Sequence, residues 1–353
     1  MSIKNVSIAL LLLITFNCRE SNKKIVELES RDQPDIKAPL GMVYISGGQF
    51  TMGSSDDYAE NDEGPEIQVK VDPFFMDETE VTNAEFEKFV NETGYVTVSE
   101  RPVDWEQIKK ELPKGTPKPH DSILQSGSLV FTPPNQKVPL NDYSQWWQWV
   151  KGADWKHPEG PESSIEGKDN HPVVQIAFED AQAYAKWAGK RLPTEAEWEY
   201  ASRETGSESQ FAWGDELTPN GSYLANFFQG DFPYRNTQLD GFESSAPVKS
   251  FYKNSNGLYD MIGNVWEWTS DWYRPDTKVQ YLSNGSKLCY NPTGPKSSYD
   301  PNNPYATAQR VIKGGSFLCS KDYCSNYRPS SRMATSVDSG QNHLGFRCVK
   351  DIE

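Results

Sequence analysis

Histidine and cysteine are scarce in this chain, and their scarcity excludes several kinds of site. The 353 residues include four histidines, and no two of them have the spacing of paired ligands in zinc or non-haem iron centres. Five cysteines in so long a chain cannot form a dense disulfide framework. The fold must therefore depend on its hydrophobic core, and we expect no histidine-rich metal centre.

Long hydrophobic runs and an excess of positive charge are missing as well. Hydrophobic residues make up 36% of the sequence, which excludes a membrane protein with several spans. Fifty acidic and 35 basic residues give a formal net charge of −15. Because nucleic-acid binding requires clustered lysine and arginine, we expect no nucleic-acid partner. The chain also contains no G-x-S-x-G, P-loop or dinucleotide-binding motif.

Large aromatic rings and turn-forming residues are abundant instead. The sequence has 11 tryptophans and an aromatic fraction of 12%, so a core can be built from rings rather than from aliphatic runs. The 25 glycines and 24 prolines indicate short elements joined by many loops. We find no repeat of fixed period, and the globular part is predicted to be one loop-rich domain.

The first residues have the pattern of an export signal. The apolar run from Val6 to Phe16 is too short to span a bilayer and matches the core of a signal peptide. Cys18 follows where a lipoprotein signal places its acylated cysteine, although the three preceding residues are not the usual small ones. We predict a signal peptide over residues 1–17 and a lipid anchor on Cys18. The protein would then be exported and face the periplasm or the cell exterior; the alternative is an ordinary cleaved signal.

A polar tether and a globular domain are predicted after the signal. Residues 18–38 are charged and have no apolar period, which is typical of a flexible tether. The domain is predicted over residues 39–353. Its first segment, "GMVYISGGQFTMGS", has alternating apolar residues on both sides of Gly47-Gly48. This pattern predicts a hairpin around the two glycines.

Three helices are predicted from apolar spacing and end signals. In "TNAEFEKFVNETG", Phe86, Phe89 and Val90 recur at helical spacing, and Gly94 ends the helix. The stretch "FEDAQAYAKWAGK" has similar spacing and also ends at a glycine. The stretch "LPTEAEWEYASRE" opens with Thr194-x-x-Glu197, a pair that can cap the first-turn amides of a helix.

Two cysteines lie close together in "KGGSFLCSKDYCSNYR". Cys319 and Cys324 could form a small disulfide loop or remain as two inert buried thiols. Two converging thiolates would also suit a soft ion such as Cu(I), or could cycle through a disulfide in a redox reaction. The residues themselves leave these alternatives open.

Two acidic, turn-rich stretches are candidates for calcium sites. They are "LANFFQGDFPYRNTQLDGF" and "GLYDMIGNVWEWTSDWY". Calcium takes six to eight oxygen ligands, and such turns expose backbone carbonyls. Neither stretch matches an EF-hand loop, and a carboxylate that merely fixes a turn among aromatic residues explains the composition equally well.

Several motifs together resemble the formylglycine-generating enzyme family, also called sulfatase-modifying factor. They are "RLPTEAEWEYASR", "GLYDMIGNVWEWTSDWY", "RVIKGGSFLCSKDYC" and "HLGFRC", and they occur in family order. The resemblance extends from about Met42 to Cys348. It implies a single irregular, loop-rich α+β domain, distantly similar to C-type lectins.

The resemblance also implies an activity and its residues. Members of the family oxidise a cysteine in a Cys-x-Pro-x-Arg segment of an unfolded sulfatase to Cα-formylglycine, with O₂ as co-substrate. By this likeness Cys319 and Cys324 hold Cu(I), the substrate thiolate joins them, and Ser316 is the neighbouring active-site serine. The expected partner is therefore a sulfatase polypeptide, and the enzyme is expected to be a monomer.

Two structural calcium sites are implied in the same way. The first set of ligands comprises Asn226, Phe227, Asp240 and Phe242. The second comprises Asp260, Gly263, Val265 and Glu267. Four of these eight residues could contribute only backbone carbonyls.

Some positions depart from the family pattern. Vertebrate members have disulfide-forming cysteines where this chain has Ala185, Ser202 and Pro329, so Cys348 has lost its partner. His343 occupies a position where some members have asparagine. We interpret the chain as a bacterial variant whose core suffices without disulfides.

Other roles on the same framework remain as alternatives. The main one is a non-catalytic surface lipoprotein that uses the fold for binding or scaffolding, as in gliding-motility lipoproteins. A scaffold has no need for a free Cys319/Cys324 pair, and this argues for the enzyme. An iron-dependent sulfoxide synthase is disfavoured because the histidine cluster is missing.

Overall fold

Short helices and short strands are separated by long irregular segments. The computed structural model describes residues 37–110, 112–121, 124–204, 208–285, 287–301 and 307–352. The helices are α1 (Asn83–Thr93), α2 (Trp105–Ile108), α3 (Phe178–Trp187), α4 (Glu195–Ser202) and α5 (Thr277–Ser283). The strands are β1 (Met42–Ile45), β2 (Gly48–Met52), β3 (Ile67–Val71), β4 (Phe74–Asp77), β5 (Gly127–Phe131), β6 (Trp147–Lys151), β7 (Gly230–Asp231), β8 (Arg235–Asn236), β9 (Trp266–Trp272), β10 (Cys289–Tyr290), β11 (Gln309–Lys313), β12 (Met333–Ser336), β13 (Leu344–Gly345) and β14 (Val349–Asp351). The predicted α+β, loop-rich fold class is confirmed.

The predicted signal peptide, the lipid site Cys18 and most of the predicted tether lie outside the described residues. The described part belongs to a compact unit that begins at Lys37. Within it, no helix has the length and apolar character needed to cross a membrane.

The three predicted helices are confirmed, and their ends are encoded locally. Thr82 caps α1 with Glu85 in a reciprocal capping box, and Gly94 ends the helix in a left-handed conformation with φ 66°. Thr194 and Glu197 form the same box at α4. Each box satisfies first-turn amides that would otherwise have no partner.

Small sheets of mixed direction make up the β structure. The strand orders are β1-β4-β14, β10-β3-β2 and β12-β11-β9-β13, and β5-β6 and β7-β8 form separate pairs. β13 runs parallel to β9, whereas β11 runs antiparallel to it. The turn before β9 and the loop after β11 carry most of the candidate site residues.

The hairpin predicted at Gly47-Gly48 is wrong. β1 pairs with β4 and β2 pairs with β3, so the two glycines carry the chain from one sheet to another. Gly47 has φ 64°, and a Cβ there would lie 2.6 Å from the carbonyl oxygen of Val71. The turn therefore requires glycine, although it does not close a hairpin.

Aromatic rings dominate two clusters in the interior. Phe86 of α1 contacts four other rings, those of Phe89, Trp155, Tyr184 and Phe346. A smaller cluster comprises Trp146, Phe228, Phe232, Phe317 and Leu318. This second cluster lies beside the cysteine loop because Phe317 and Leu318 immediately precede Cys319.

Candidate active site

Both cysteines of the predicted pair lie in one tight loop after β11. Gly314 and Gly315 have φ values of 95° and 75°, and a Cβ on Gly315 would lie 2.9 Å from the carbonyl oxygen of Asn326. The amide of Cys319 donates to the carbonyl of Ser316 (2.9 Å), and that of Cys324 donates to the carbonyl of Ser320 (3.0 Å). These turns fold the loop back on itself and bring the two side chains together.

The two thiols are adjacent but not bonded. Their Sγ atoms are 2.8 Å apart, whereas a disulfide bond measures about 2.0 Å. All four cysteines in the described part of the chain are free. Cys319 is 1% exposed, while Cys324 is only partly buried. Cys319 is therefore more completely shielded from solvent than Cys324.

The two thiols differ in acidity because Cys319 is more affected by burial and donates a hydrogen bond to Cys324. Burial raises the pKa of Cys319 well above its ordinary value. The hydrogen bond from Cys319 lowers the pKa of Cys324, and the Asn326 amide, whose Nδ2 is 3.4 Å from the Cys324 sulfur, acts in the same direction. Cys324 is therefore the member of the pair that ionises first, and a thiolate is the form that binds metals.

Three aromatic rings, those of Tyr323, Phe232 and Trp146, pack together beside the cysteine loop. Tyr323 lies between the two cysteines in sequence and is 43% exposed. Its ring stacks on Phe232 at 4.7 Å and meets Trp146 edge-on at 5.6 Å. These contacts anchor the loop to the second hydrophobic cluster while part of Tyr323 stays exposed.

Ser316 belongs to a chain of polar side chains behind the pair. Its Oγ is 3.0 Å from Nδ1 of His343, and Nε2 of His343 is 2.8 Å from Oε1 of Gln341. Burial lowers the pKa of His343 to about 3. The ring of Trp147 lies 4.8 Å from the imidazole. Sequence reasoning did not identify Gln341 or Trp147, although Gln341 lies only two residues before the flagged histidine.

The four residues of the first predicted calcium site come together. Asp240 accepts hydrogen bonds from the amides of Phe227 (3.0 Å) and Phe242 (3.1 Å). The Nε2 of Gln229 contacts both the carbonyl oxygen of Phe227 and Oδ2 of Asp240. A positively polarised group thus lies between two of the proposed oxygen ligands, where a cation would also be favoured. Asn226 donates to the carbonyl of Ser244 (2.8 Å).

The second predicted calcium site lies in the turn that leads into β9. Gly263 and Val265 are buried there, and Asp260 accepts the amide of Lys249 at 2.6 Å. Glu267 is engaged by protein donors, because Arg347 donates to both of its carboxylate oxygens (2.7 and 2.8 Å). Its carboxylate is therefore the least available of the four proposed ligands.

Glu80 adds a further carboxyl group to this second site. Its Oε2 is buried and has no hydrogen-bond partner among the described residues, and the guanidinium of Arg347 is 3.7 Å away. Burial raises the pKa of Glu80 well above its ordinary value and that of Asp260 to about 6. Three buried carboxyl groups thus share one guanidinium, and a cation would offset the remaining negative charge. Sequence reasoning missed Glu80 because it lies far away in the chain.

The sequence model of one family, described as Sulfatase-modifying factor enzyme 1-like domain, matches residues 29–352. The chain belongs to this family. It is 45% identical over 310 residues to a formylglycine-generating enzyme of Mycobacterium tuberculosis, covering 88% of this chain and 97% of that protein. It is also 33% identical over 311 residues to a mouse protein named inactive Cα-formylglycine-generating enzyme 2, covering 87% and 85% of the two chains.

A solved structure shares the fold at lower identity. PvdO from Pseudomonas aeruginosa is 24% identical, with a TM-score of 0.53 and coverage of 88% of this chain and 94% of that one. At this identity the likeness concerns the fold alone.

The positions that depart from the sulfatase-modifying factor pattern lie in the interior. Ala185 and Ser202 are buried in α3 and α4. Cys348 is buried with its thiol free, and its amide donates to Oδ2 of Asp77 (2.9 Å). These residues are thus packed in the core, and Cys348 remains a free thiol, in line with the expectation that the core suffices without disulfides.

Within the residues that the structure describes, no three His, Cys, Asp or Glu side chains are arranged to hold a metal. The cysteine pair accordingly has no third ligand from those side chains. The two predicted calcium sites would need backbone carbonyls, as the residue types in them require.

Proposed function

We propose that this member of the sulfatase-modifying factor family is a formylglycine-generating enzyme. It oxidises the cysteine of a Cys-x-Pro-x-Arg segment in an unfolded sulfatase, using O₂ and a Cu(I) ion held by Cys319 and Cys324. The observation that carries the proposal is the pair of free thiols 2.8 Å apart, one buried and one partly buried. A merely structural pair has no need to stay unbonded at that distance.

The donor set fits Cu(I). Two sulfur ligands are soft, and monovalent copper prefers thiolates. When bound, the ion would supply the one-electron chemistry that lets O₂ react with a thiol. Cys324 has the lowered pKa and provides the first thiolate, while Cys319 is shielded from water. The absence of a third ligand from the described acidic, histidine and cysteine side chains leaves room for the substrate sulfur.

The test is direct oxidation of a peptide. We expect the copper-loaded protein, given O₂ and a reducing thiol, to convert a Cys-x-Pro-x-Arg peptide to the aldehyde, which mass spectrometry detects as the loss of one sulfur and two hydrogens and the gain of one oxygen. The same peptide with serine in place of cysteine is the control. If the cysteine peptide stays unmodified although the protein binds copper, the enzyme proposal fails and the non-catalytic surface lipoprotein is favoured.

Calcium is proposed as a structural ion at the two sites described above. Removing it with a chelator should lower the melting temperature, because a ligand that binds only the native state stabilises it by about 2.7 kcal/mol at a hundredfold excess over its Kd. Glu80→Gln should reduce the chelator effect, since one unpartnered carboxylate oxygen is lost. Calorimetry and elemental analysis would check this. The structural role of calcium would be contradicted if the melting temperature were the same with and without chelator and the protein contained no calcium.

Export with a lipid anchor on Cys18 is also proposed, from the sequence pattern described above. Cys18→Ala should move the protein from the membrane fraction to the soluble fraction and abolish metabolic labelling with palmitate. A single acyl chain gives only marginal binding, so complete retention relies on the multiple chains of a lipoprotein anchor. Cys18 is not acylated if the wild-type protein takes up no palmitate label and fractionates in the same way as the variant.

A further inference from the structure

A continuous series of hydrogen bonds connects the buried Ser316 to His343, Gln341 and Thr335. Ser316 Oγ lies 3.0 Å from His343 Nδ1, and His343 Nε2 lies 2.8 Å from Gln341 Oε1. At the far end, Nε2 of Gln341 donates to the hydroxyl of Thr335 at 2.9 Å. Each member of the series has one polar neighbour on each side, so the direction of one bond determines the direction of the next.

The direction of the series follows from the Gln341 amide. Because its nitrogen faces Thr335, its oxygen faces His343, and an oxygen can only accept. His343 must therefore carry its hydrogen on Nε2. In a neutral imidazole the other nitrogen then has a lone pair and no hydrogen, so Nδ1 accepts the hydroxyl hydrogen of Ser316.

The surroundings keep this imidazole neutral and fixed in place. His343 is 6% exposed, and its pKa is lowered to about 3 by burial. Its carbonyl accepts the amide of Trp266 at 2.8 Å, which ties the residue to the start of β9. The ring of Trp147 packs against the imidazole in a tilted arrangement, with the ring centroids 4.8 Å apart.

The hydroxyl of Ser316 is therefore left as an acceptor. Its hydrogen points to His343, and one lone pair receives the amide of Leu318 at 3.2 Å. A hydroxyl oxygen has two lone pairs, so one remains inside this fully buried site. An asparagine in place of His343 could present either a donor or an acceptor, whereas neutral His343 with Gln341 behind it presents only an acceptor.

We propose that His343 and Gln341 are positioning residues that hold Ser316 as a hydrogen-bond acceptor for the substrate. The matching donor is the thiol or the backbone amide of the cysteine to be oxidised. The inference rests on the proposed function in that it names this substrate, while the orientation of the hydroxyl follows from the hydrogen bonds alone.

The orientation can be measured without turnover. Proton–nitrogen correlation spectra are recorded on protein with isotope-labelled histidine. The signal that is missing in His343→Asn is the signal of His343. We expect the Nε2–H tautomer, with no protonation between about pH 8 and pH 5, because the imidazole is buried. A tautomer with hydrogen on Nδ1, or a protonation step near the ordinary histidine pKa, would overturn the proposal.

Substrate binding tests the role of the serine. Under anaerobic conditions, Ser316→Ala and His343→Leu should each weaken binding of the Cys-x-Pro-x-Arg peptide to the copper-loaded protein by about tenfold, the effect of one hydrogen bond. The double variant should be no weaker than either single one, because both remove the same interaction. His343→Asn retains an acceptor and should restore binding to within about threefold of wild type.

A matched control is available in a second histidine–serine pair. His171 Nδ1 is 3.3 Å from Ser245 Oγ and belongs to neither the cysteine loop nor its neighbours. His171→Leu should leave peptide binding unchanged. Additive losses in the double variant, or unaltered binding in Ser316→Ala, would overturn the role assigned to the hydroxyl. Failure of the wild type to oxidise the peptide would instead refute the proposed function, and the tautomer would still report the hydrogen-bond direction.

Discussion

Cys319→Ser and Cys324→Ser should each abolish tight Cu(I) binding and lower peptide oxidation by about a thousandfold or more, because residues that act as a unit fail together. A hydroxyl is a harder and far less acidic ligand than a thiol, so serine cannot replace either sulfur. The two changes should have similar effects although one residue is buried and the other is only partly buried. Copper titration and the peptide assay measure both consequences.

Cys289→Ser is the control for these variants. Cys289 begins β10, is 9% exposed, and is a free thiol outside the cysteine loop. Its replacement should leave copper affinity and turnover unchanged. Thiol counting and copper titration on the wild type test the mechanism directly. It would be excluded if the Cys319–Cys324 pair proved to be permanently oxidised and the protein bound no copper. A variant that retains turnover without one of the two thiols would exclude it equally.

Arg328→Met should lower the free energy of unfolding by about 3–5 kcal/mol, because it leaves Glu63 as an uncompensated buried charge. The guanidinium donates to Oε2 of Glu63 at 2.8 Å, and both side chains are almost fully buried. Ser330 adds a hydrogen bond of 2.8 Å to the same carboxylate. Urea unfolding, followed by tryptophan fluorescence, would measure the loss.

Two further variants separate the buried charge from other causes. Glu63→Gln combined with Arg328→Met removes both charges and should recover part of the lost stability. Lys88→Met breaks an exposed ion pair with Glu92 (3.9 Å) on α1 and should change stability by no more than about 0.5 kcal/mol. If Arg328→Met is as stable as Lys88→Met, the loss of Arg328 does not leave a destabilising buried charge on Glu63.

The helices could be predicted because their signals are local. The capping residues Thr82 and Thr194 lie within three positions of their partners, and Gly94 adopts a conformation that other residues avoid. Everything needed to place these helix ends is contained in about a dozen consecutive residues. Packing against the rest of the domain then preserves them without moving their limits.

Strand pairing could not be predicted in the same way. The alternation around Gly47-Gly48 marks two strands, but alternation does not say which strand pairs with which. β1 pairs with β4 and β2 with β3, and these partners are supplied by later residues. A tight glycine turn looks the same in sequence whether it closes a hairpin or passes between sheets.

The candidate site likewise contains local features that the sequence could predict and long-range features that it could not. Cys319 and Cys324 are five positions apart, and their approach follows from one loop. Glu80 reaches the turn before β9 only through the folded core, where it meets the guanidinium of Arg347. Resemblance between motifs assigns roles to residues inside a motif. It does not identify a side chain that lies far away in the sequence and reaches the site only in the folded chain. The partners of Ser316 required the folded chain for the same reason.

The sheet β1-β4-β14 has a consequence for the order in which the protein matures. Met76, in the central strand, pairs with Val43 on one edge and with Val349 on the other, so the sheet joins the two ends of the domain. During synthesis β4 stays half-paired until Val349–Asp351 emerge, and an unpaired strand edge invites association with other chains. We therefore expect the domain to close only after its last strand has left the ribosome, and a chain stopped short of that strand should be captured by chaperones or proteases.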